Sequence, residues 1–393
     1  MKGVLPVMVA VALCAIATTC AADPVVGGRV MQDWMTWTSV DDDVSDCLDG
    51  DFGDGTEFRR ARVFVRGDLS ERLAYKVNFE FADGDASFKE IYMDLRDVPV
   101  VGDLRVGRIQ EPFGLDQLTS NKYSTFMERS LLTAFAPSFN SGLMVTRTAG
   151  DDVLGLQAGV FRATDSVGDA KGSDGRYSVT ARLTGLPYRH IERRVLVHAG
   201  VAASYRNPDG GVVRYRERPE IHMSPVRFVD TDSVPAERAM LLGVELAAVV
   251  GPFSIQSEYA AATATSPDSV SASRAGDDPT FEGLSVQVSY FLTGESRPYK
   301  NGVFSRVSPR APFLEEGGPG AWELAVRYSR LDLNDDGAGV AGGLLNDVTV
   351  GLNWYLHARV RVMLNYVAAT VSDGEGEEIG SATALAARVQ FDF

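Results

Sequence analysis

Apolar and polar side chains alternate with period two in segment after segment of this chain. In residues 75–81, Tyr75, Val77, Phe79 and Phe81 fall on one face, with Lys76, Asn78 and Glu80 on the other. Residues 322–328 set Trp322, Leu324, Val326 and Tyr328 against Glu323, Ala325 and Arg327. The same pattern runs through 348–356, through 359–366 and through 385–393, where the chain ends on Phe391 and Phe393. Successive side chains of a strand point to opposite sides, so these are strands with one apolar and one polar face. A bundle of membrane helices is excluded. After residue 19 no uncharged apolar run reaches the roughly 20 residues such a helix needs. The longest, 240–255, is interrupted by Glu245 and Pro252.

The spacing of the strands narrows the class. Only His357 and Ala358 part the runs 351–356 and 359–366, and Gly251-Pro252-Phe253 joins 244–250 to 254–259. Long polar stretches at 206–232, 263–279 and 332–345 separate others. Short turns at one end and long loops at the other fit an antiparallel up-and-down barrel in an outer membrane. A water-soluble sandwich would alternate too, but aromatic residues favour the barrel. Tyr75, Tyr259, Tyr290, Trp322, Tyr328, Trp354 and Tyr366 lie at or near strand ends on the apolar side, as interfacial girdles do. A terminal aromatic closing an alternating strand is a further mark of outer-membrane barrels. The expected fold is therefore all-β, a transmembrane antiparallel β-barrel. At about 23 residues per strand and loop, the 371 residues after position 22 give about 16 strands, with 14 or 18 also open.

Lys2, an apolar run over 4–16 and small residues to Ala22 read as a secretory signal peptide over 1–22. Its removal takes Cys14 and Cys20 and leaves Cys47, so the exported protein has no internal disulfide. Residues 23–56 read as an acidic segment ahead of a barrel spanning 57–393. The acids Asp41, Asp42, Asp43, Asp46, Asp49, Asp51 and Asp54 invite a calcium reading, but lack a calcium loop's ligand spacing and terminal Glu. A solvated segment is the reading adopted. With a net charge of −15, nucleic acid is not an expected partner. Four scattered histidines, no nucleophile elbow and no phosphate-binding glycine loop point away from an enzyme, a metal centre or a cofactor.

Polar-face cations suggest what a channel would select. Arg62, Arg66, Lys76, Arg96, Arg327, Arg359, Arg361 and Arg388 fall on that face. On the lipid side at mid-bilayer each arginine would cost about 2–4 kcal/mol. Facing water, they either line the pore and favour anions or pair with acids such as Glu80, Asp94, Glu323 and Asp392. Residues 110–142 are too long for a turn, rich in Phe, Leu and Met, without alternation and punctuated by Pro112 and Pro137. Such a segment stays ordered only if its apolar residues pack on something. It is the expected inward-folded constriction loop, with Lys122, Glu128 and Arg129 near the narrowest point. An external loop at a subunit contact is the other reading.

Several stretches resemble one family. They are Glu57-Phe58-Arg59-Arg60-Ala61-Arg62, Leu104-Arg105-Val106-Gly107-Arg108, Glu111-Pro112-Phe113-Gly114-Leu115 and residues 119–131. Downstream come Tyr290-Phe291-Leu292-Thr293-Gly294-Glu295, Arg297-Pro298-Tyr299 and Gly351-Leu352-Asn353-Trp354-Tyr355-Leu356. In order across 57–393, they identify the chain as similar to the phosphate-selective porins O and P. The resemblance implies a homotrimeric 16-stranded channel in outer-membrane lipid, with a loop folded into the lumen. It also implies passive passage of small hydrophilic solutes with anion preference, phosphate or polyphosphate above all, through basic residues at a constriction. Here those are chiefly arginines, 32 against six lysines. A barrel whose long loops bind or adhere, with little conductance, is the alternative.

Overall fold

A computed structural model describes residues 23–48, 50, 52–82, 84–150, 153–170, 176–267 and 278–393. Residues 1–22, expected to be a signal peptide, and Asp49, Asp51 and Lys171 lie outside them. Sixteen antiparallel strands close into one barrel. They are β1 (Val25–Val40), β2 (Gly55–Ser70), β3 (Leu73–Glu80), β4 (Ser87–Val98), β5 (Gly102–Gln110) and β6 (Phe139–Ala149). Next come β7 (Leu154–Arg162), β8 (Ser178–His190), β9 (Val195–Arg206), β10 (Arg238–Val250) and β11 (Phe253–Thr265). The last five are β12 (Thr280–Phe291), β13 (Ala321–Asp335), β14 (Val340–His357), β15 (Val360–Ser372) and β16 (Glu378–Asp392).

The alternation is realised inside out relative to a soluble protein. Along β13, Leu324 and Val326 are each 45% exposed, whereas Glu323, Arg327 and Ser329 are buried. Apolar side chains ring the exterior and polar ones fill the lumen, which only a lipid surround makes favourable. Closure brings β16 against β1, and Gly28 and Phe393 exchange backbone hydrogen bonds at 3.0 and 3.2 Å. Gly27 and Gly28 are required there. A Cβ at either would lie 2.5–2.6 Å from the Phe64 ring, the Arg62 carbonyl or the Phe393 ring.

The barrel therefore starts at Val25, and residues 23–56 are not a segment ahead of it. Two inward residues of β1, Met31 and Met35, are apolar, which blurred the alternation. Met35 packs with Met127, Ile221 and Met363 in a lumenal cluster.

Among the described residues, three connections enter the lumen. The constriction loop, residues 111–138, does so as expected, burying Phe113, Leu115, Phe126 and Leu131. The wall is smoothed to receive it. Ala202 of β9, Gly243 of β10, Ala260 of β11 and Gly283 of β12 lie side by side in register. A Cβ on Gly243 would stand 3.1 Å from the Phe113 ring, and one on Gly283 3.4 Å from Leu132. The connection 207–237 also turns inward, with the Tyr215 ring 5.3 Å from Phe135 and 5.7 Å from Phe281. The third, 292–320, breaks the rule of short turns at the end carrying both termini.

Candidate functional site: a cationic conduit beside the constriction loop

The constriction loop is held by lumenal side chains that satisfy its backbone. Glu258 of β11 accepts the N–H groups of Leu115 and Asp116, both at 2.8 Å, where the short helix Leu115–Leu118 begins. The following loop carbonyls accept from the opposite wall. Gln390 donates to the carbonyl of Lys122 (3.1 Å), Arg361 to Ser124 (2.7 Å) and Asn353 to Thr125 (2.8 Å). Arg388 donates to the carbonyl of Met127, and Arg327 to that of Glu128 at 3.0 Å. An irregular loop can be buried only if its backbone groups find such partners.

This assignment corrects three of the expected pore residues. Arg327, Arg361 and Arg388 are 1–2% exposed and lie beneath the loop. Arg327 also pairs with Glu220 of the 207–237 connection, and Arg388 with Asp33 at 2.6 Å and Glu128 at 2.8 Å. The inward face of a strand is lumenal, but a loop lying on that face takes it out of water. Arg96 pairs with Asp68 at 2.7 Å, away from the cavities described next, and Arg359 is exposed at the turn between β14 and β15.

The loop leaves the β1–β5 side of the lumen open. A cavity of about 380 Å³ there is lined by Arg62, Arg66, Lys76, Lys122 and Arg129 of the expected set. Arg29, Arg60 and Lys89 join them, against the single carboxylate of Glu90. Cations oppose one another directly across the ladder, Arg29 against Arg62 and Arg66 against Lys76. Like charges in that relation are destabilising. The compensation is partial: Arg62 bonds Glu80 at 2.6 Å and Lys76 bonds Glu90.

A second cavity of about 310 Å³ lies toward the long-loop end and is mixed in charge, with Arg59, Arg218, Arg227 and His222 beside Glu128, Glu217 and Glu220. Gln117, Arg129 and Ser138 line both cavities, which defines the neck between them. Arg129 is fixed by donating to the carbonyls of Asp116 and Thr119, each at 3.0 Å. A β-bulge supplies the flanking charge. Met31 pairs with Arg60 but Gln32 with Phe58, so Arg59 is an extra residue. Arg59 and Arg60 then both face inward, one to each cavity. Arg59 holds Glu128 through two bonds of 2.8 and 2.7 Å. Burial alone would raise the Glu128 carboxyl; Arg59, with Arg388, holds it well below the usual range.

Lys122 stands at the other extreme of the inner cavity, 3.8 Å from Asp392. Burial pushes its ammonium down to about 8; Arg29, Arg306 and Lys76 add to this and Asp392 opposes it. Arg29, Arg59, Arg60 and Lys89 were not among the expected pore residues. Arg29 fell in the segment read as preceding the barrel. The adjacency of Arg59 and Arg60 interrupts the alternation, and that interruption was the available signal for a bulge.

A lipid-facing barrel, a loop across its lumen and cavities beside that loop define the class: an outer-membrane channel. The chain belongs to the family described as phosphate-selective porin O and P, whose profile matches residues 38–393. It is 28% identical over 407 residues to Porin O of Pseudomonas aeruginosa, covering 93% of this chain and 87% of that one. An uncharacterized protein of Caulobacter vibrioides is 33% identical over 334 residues, 81% of this chain but 64% of the relative's own length. Among solved structures, an anion-selective porin from Comamonas acidovorans superposes with a TM-score of 0.52 at 12% identity. OmpT of Vibrio cholerae does so at 0.53, also at 12% identity. The matches cover 94% of this chain in both cases, and 99% and 98% of the porins.

Proposed function

We propose that the protein is a passive, anion-preferring diffusion channel for small hydrophilic solutes, with phosphate-class oxyanions as preferred cargo. One observation carries the reading: eight cations and one carboxylate line the inner cavity, with cations opposed in register across β1, β2 and β3. Opposed like charges cost folding energy, so their presence on the open side favours a role toward a mobile counter-ion. Fixed guanidinium and ammonium groups lower the barrier for an anion and raise it for a cation. Guanidinium forks match oxyanions bidentately, which favours phosphate over chloride. The homotrimer implied by the family resemblance belongs to the same proposal.

Planar-bilayer recording tests it. In a potassium chloride gradient the reversal potential should report chloride as the more permeant ion. Phosphate added to a chloride solution should lower the chloride current by occupying the conduit. A cation-selective reversal potential would overturn the anion reading, and a chloride current indifferent to phosphate would overturn the oxyanion preference.

A further inference from the structure

The 292–320 connection joins β12 to β13 at the terminal end of the barrel and passes through the lumen on its way. Tyr299 Oη lies 2.6 Å from His198 Nδ1 on β9. Phe304 is buried and packs in one cluster with Leu115 of the constriction loop. The Phe304 N–H points to Thr119 Oγ1 at 3.4 Å, and the Arg297 guanidinium sits 3.6 Å from the Phe304 ring centroid. The segment therefore supports the loop from the terminal end.

Beyond Phe304 the segment places Arg306 at a charge junction. Its guanidinium bonds both carboxylate oxygens of Asp392, the carbonyl of Ala358 and, at 3.3 Å, Tyr123 Oη. Asp392 is the last residue of β16 and is 7% exposed. The same carboxylate is the counter-ion 3.8 Å from Lys122 Nζ, a distance too long for a hydrogen bond. Lys122 lines the inner cavity, whereas Arg306 and Asp392 do not; all three line a small adjoining cavity on the terminal side.

We propose that Arg306 is a specificity-determining residue: by holding both oxygens of Asp392, it keeps the Lys122–Asp392 ion pair open at 3.8 Å and Lys122 facing the conduit instead of hydrogen-bonded to the carboxylate. A forked guanidinium saturates a carboxylate more completely than an ammonium can. With the fork removed, the flexible four-carbon stem of Lys122 closes the remaining gap, and its charge is spent on Asp392. A residue beside the inner cavity thus sets the charge inside it. Arg306 acts through Lys122 and is a positioning residue in that sense.

The inference rests on the anion-preferring reading, and the test separates the two. Reversal potentials in a potassium chloride gradient are measured for the full-length wild type, Arg306→Ala, Asp392→Asn and the double variant. Folded barrels are first verified by heat-modifiable migration. Arg306→Ala should lower the anion-to-cation permeability ratio about fivefold, the scale of one unit charge near a solvated wall. Asp392→Asn should keep or raise the ratio, and adding it to Arg306→Ala should restore wild-type preference. Adding Lys122→Gln to Arg306→Ala should lower the ratio no further. A merely structural anchor would change conductance in Arg306→Ala without recovery in the double variant. That result, or an unchanged ratio in Arg306→Ala, overturns the inference. A wild type without anion preference removes the reading beneath it instead.

Discussion

Basic side chains in the lumen divide into two populations that residue type alone does not separate. Arg361 is a structural clamp, bonding the Ser124 carbonyl at 2.7 Å and Gln390 at 3.1 Å. Arg361→Met should therefore destabilise the barrel by about 1–3 kcal/mol, the cost of orphaning buried polar partners. Urea unfolding would show it, while the reversal potential of the surviving channel stays near wild type. Lys122 belongs to the other population. Its ammonium is charged below about 8 and neutral above, because burial among Arg29, Arg306 and Lys76 favours proton loss and Asp392 only partly opposes it. Anion preference should accordingly be fuller at pH 7 and fall as pH rises through about 8. Lys122→Gln should flatten that step, and a step unchanged in the variant would assign the titration elsewhere.

At the scale of elements, what matters is how a loop without regular structure acquires a fixed place. The in-register row Ala202, Gly243, Ala260 and Gly283 gives four strands a face without projecting side chains. Phe113 and Leu132 settle on it. Gly243→Leu adds volume against Phe113, and over-packing of this kind costs about 1–3 kcal/mol. The expected outcome is a folded barrel with a displaced constriction loop, read as a change in single-channel conductance. Unaltered conductance would mean that the carbonyl contacts from Arg361, Asn353, Arg388 and Arg327 suffice. The bulge at Arg59 is the second device at this scale: one extra residue gives each cavity an arginine at the neck.

Across the whole molecule, three inward connections from both ends of the barrel partition the lumen. The 207–237 connection reaches from β12 and β13 across to Met35 of β1 and Glu57 of β2, and 292–320 runs from His198 of β9 to Asp392 of β16, while the β1–β5 side holds the inner cavity. The acidic balance of the chain, 53 acids against 38 bases, does not describe that flank, where cations prevail. Net charge is a sum over loops, exterior rims and lumen alike, so it carries little information about a conduit lined by a few side chains.

Strand sidedness, closure into a lipid-facing barrel and the inward path of residues 111–138 were legible in the residues themselves. Side-chain direction in a strand is a local property with period two, and an apolar segment without alternation must find a surface. Arg62, Arg66, Lys76, Lys122 and Arg129 could be placed toward the lumen on the same grounds. Which lumenal charges remain open to a solute could not. That depends on where the loops lie, and the deciding contacts join residues as far apart as Asp33 with Arg388 and Ser124 with Arg361. Period two assigns a face; only the packed loops determine how much of that face is still wet.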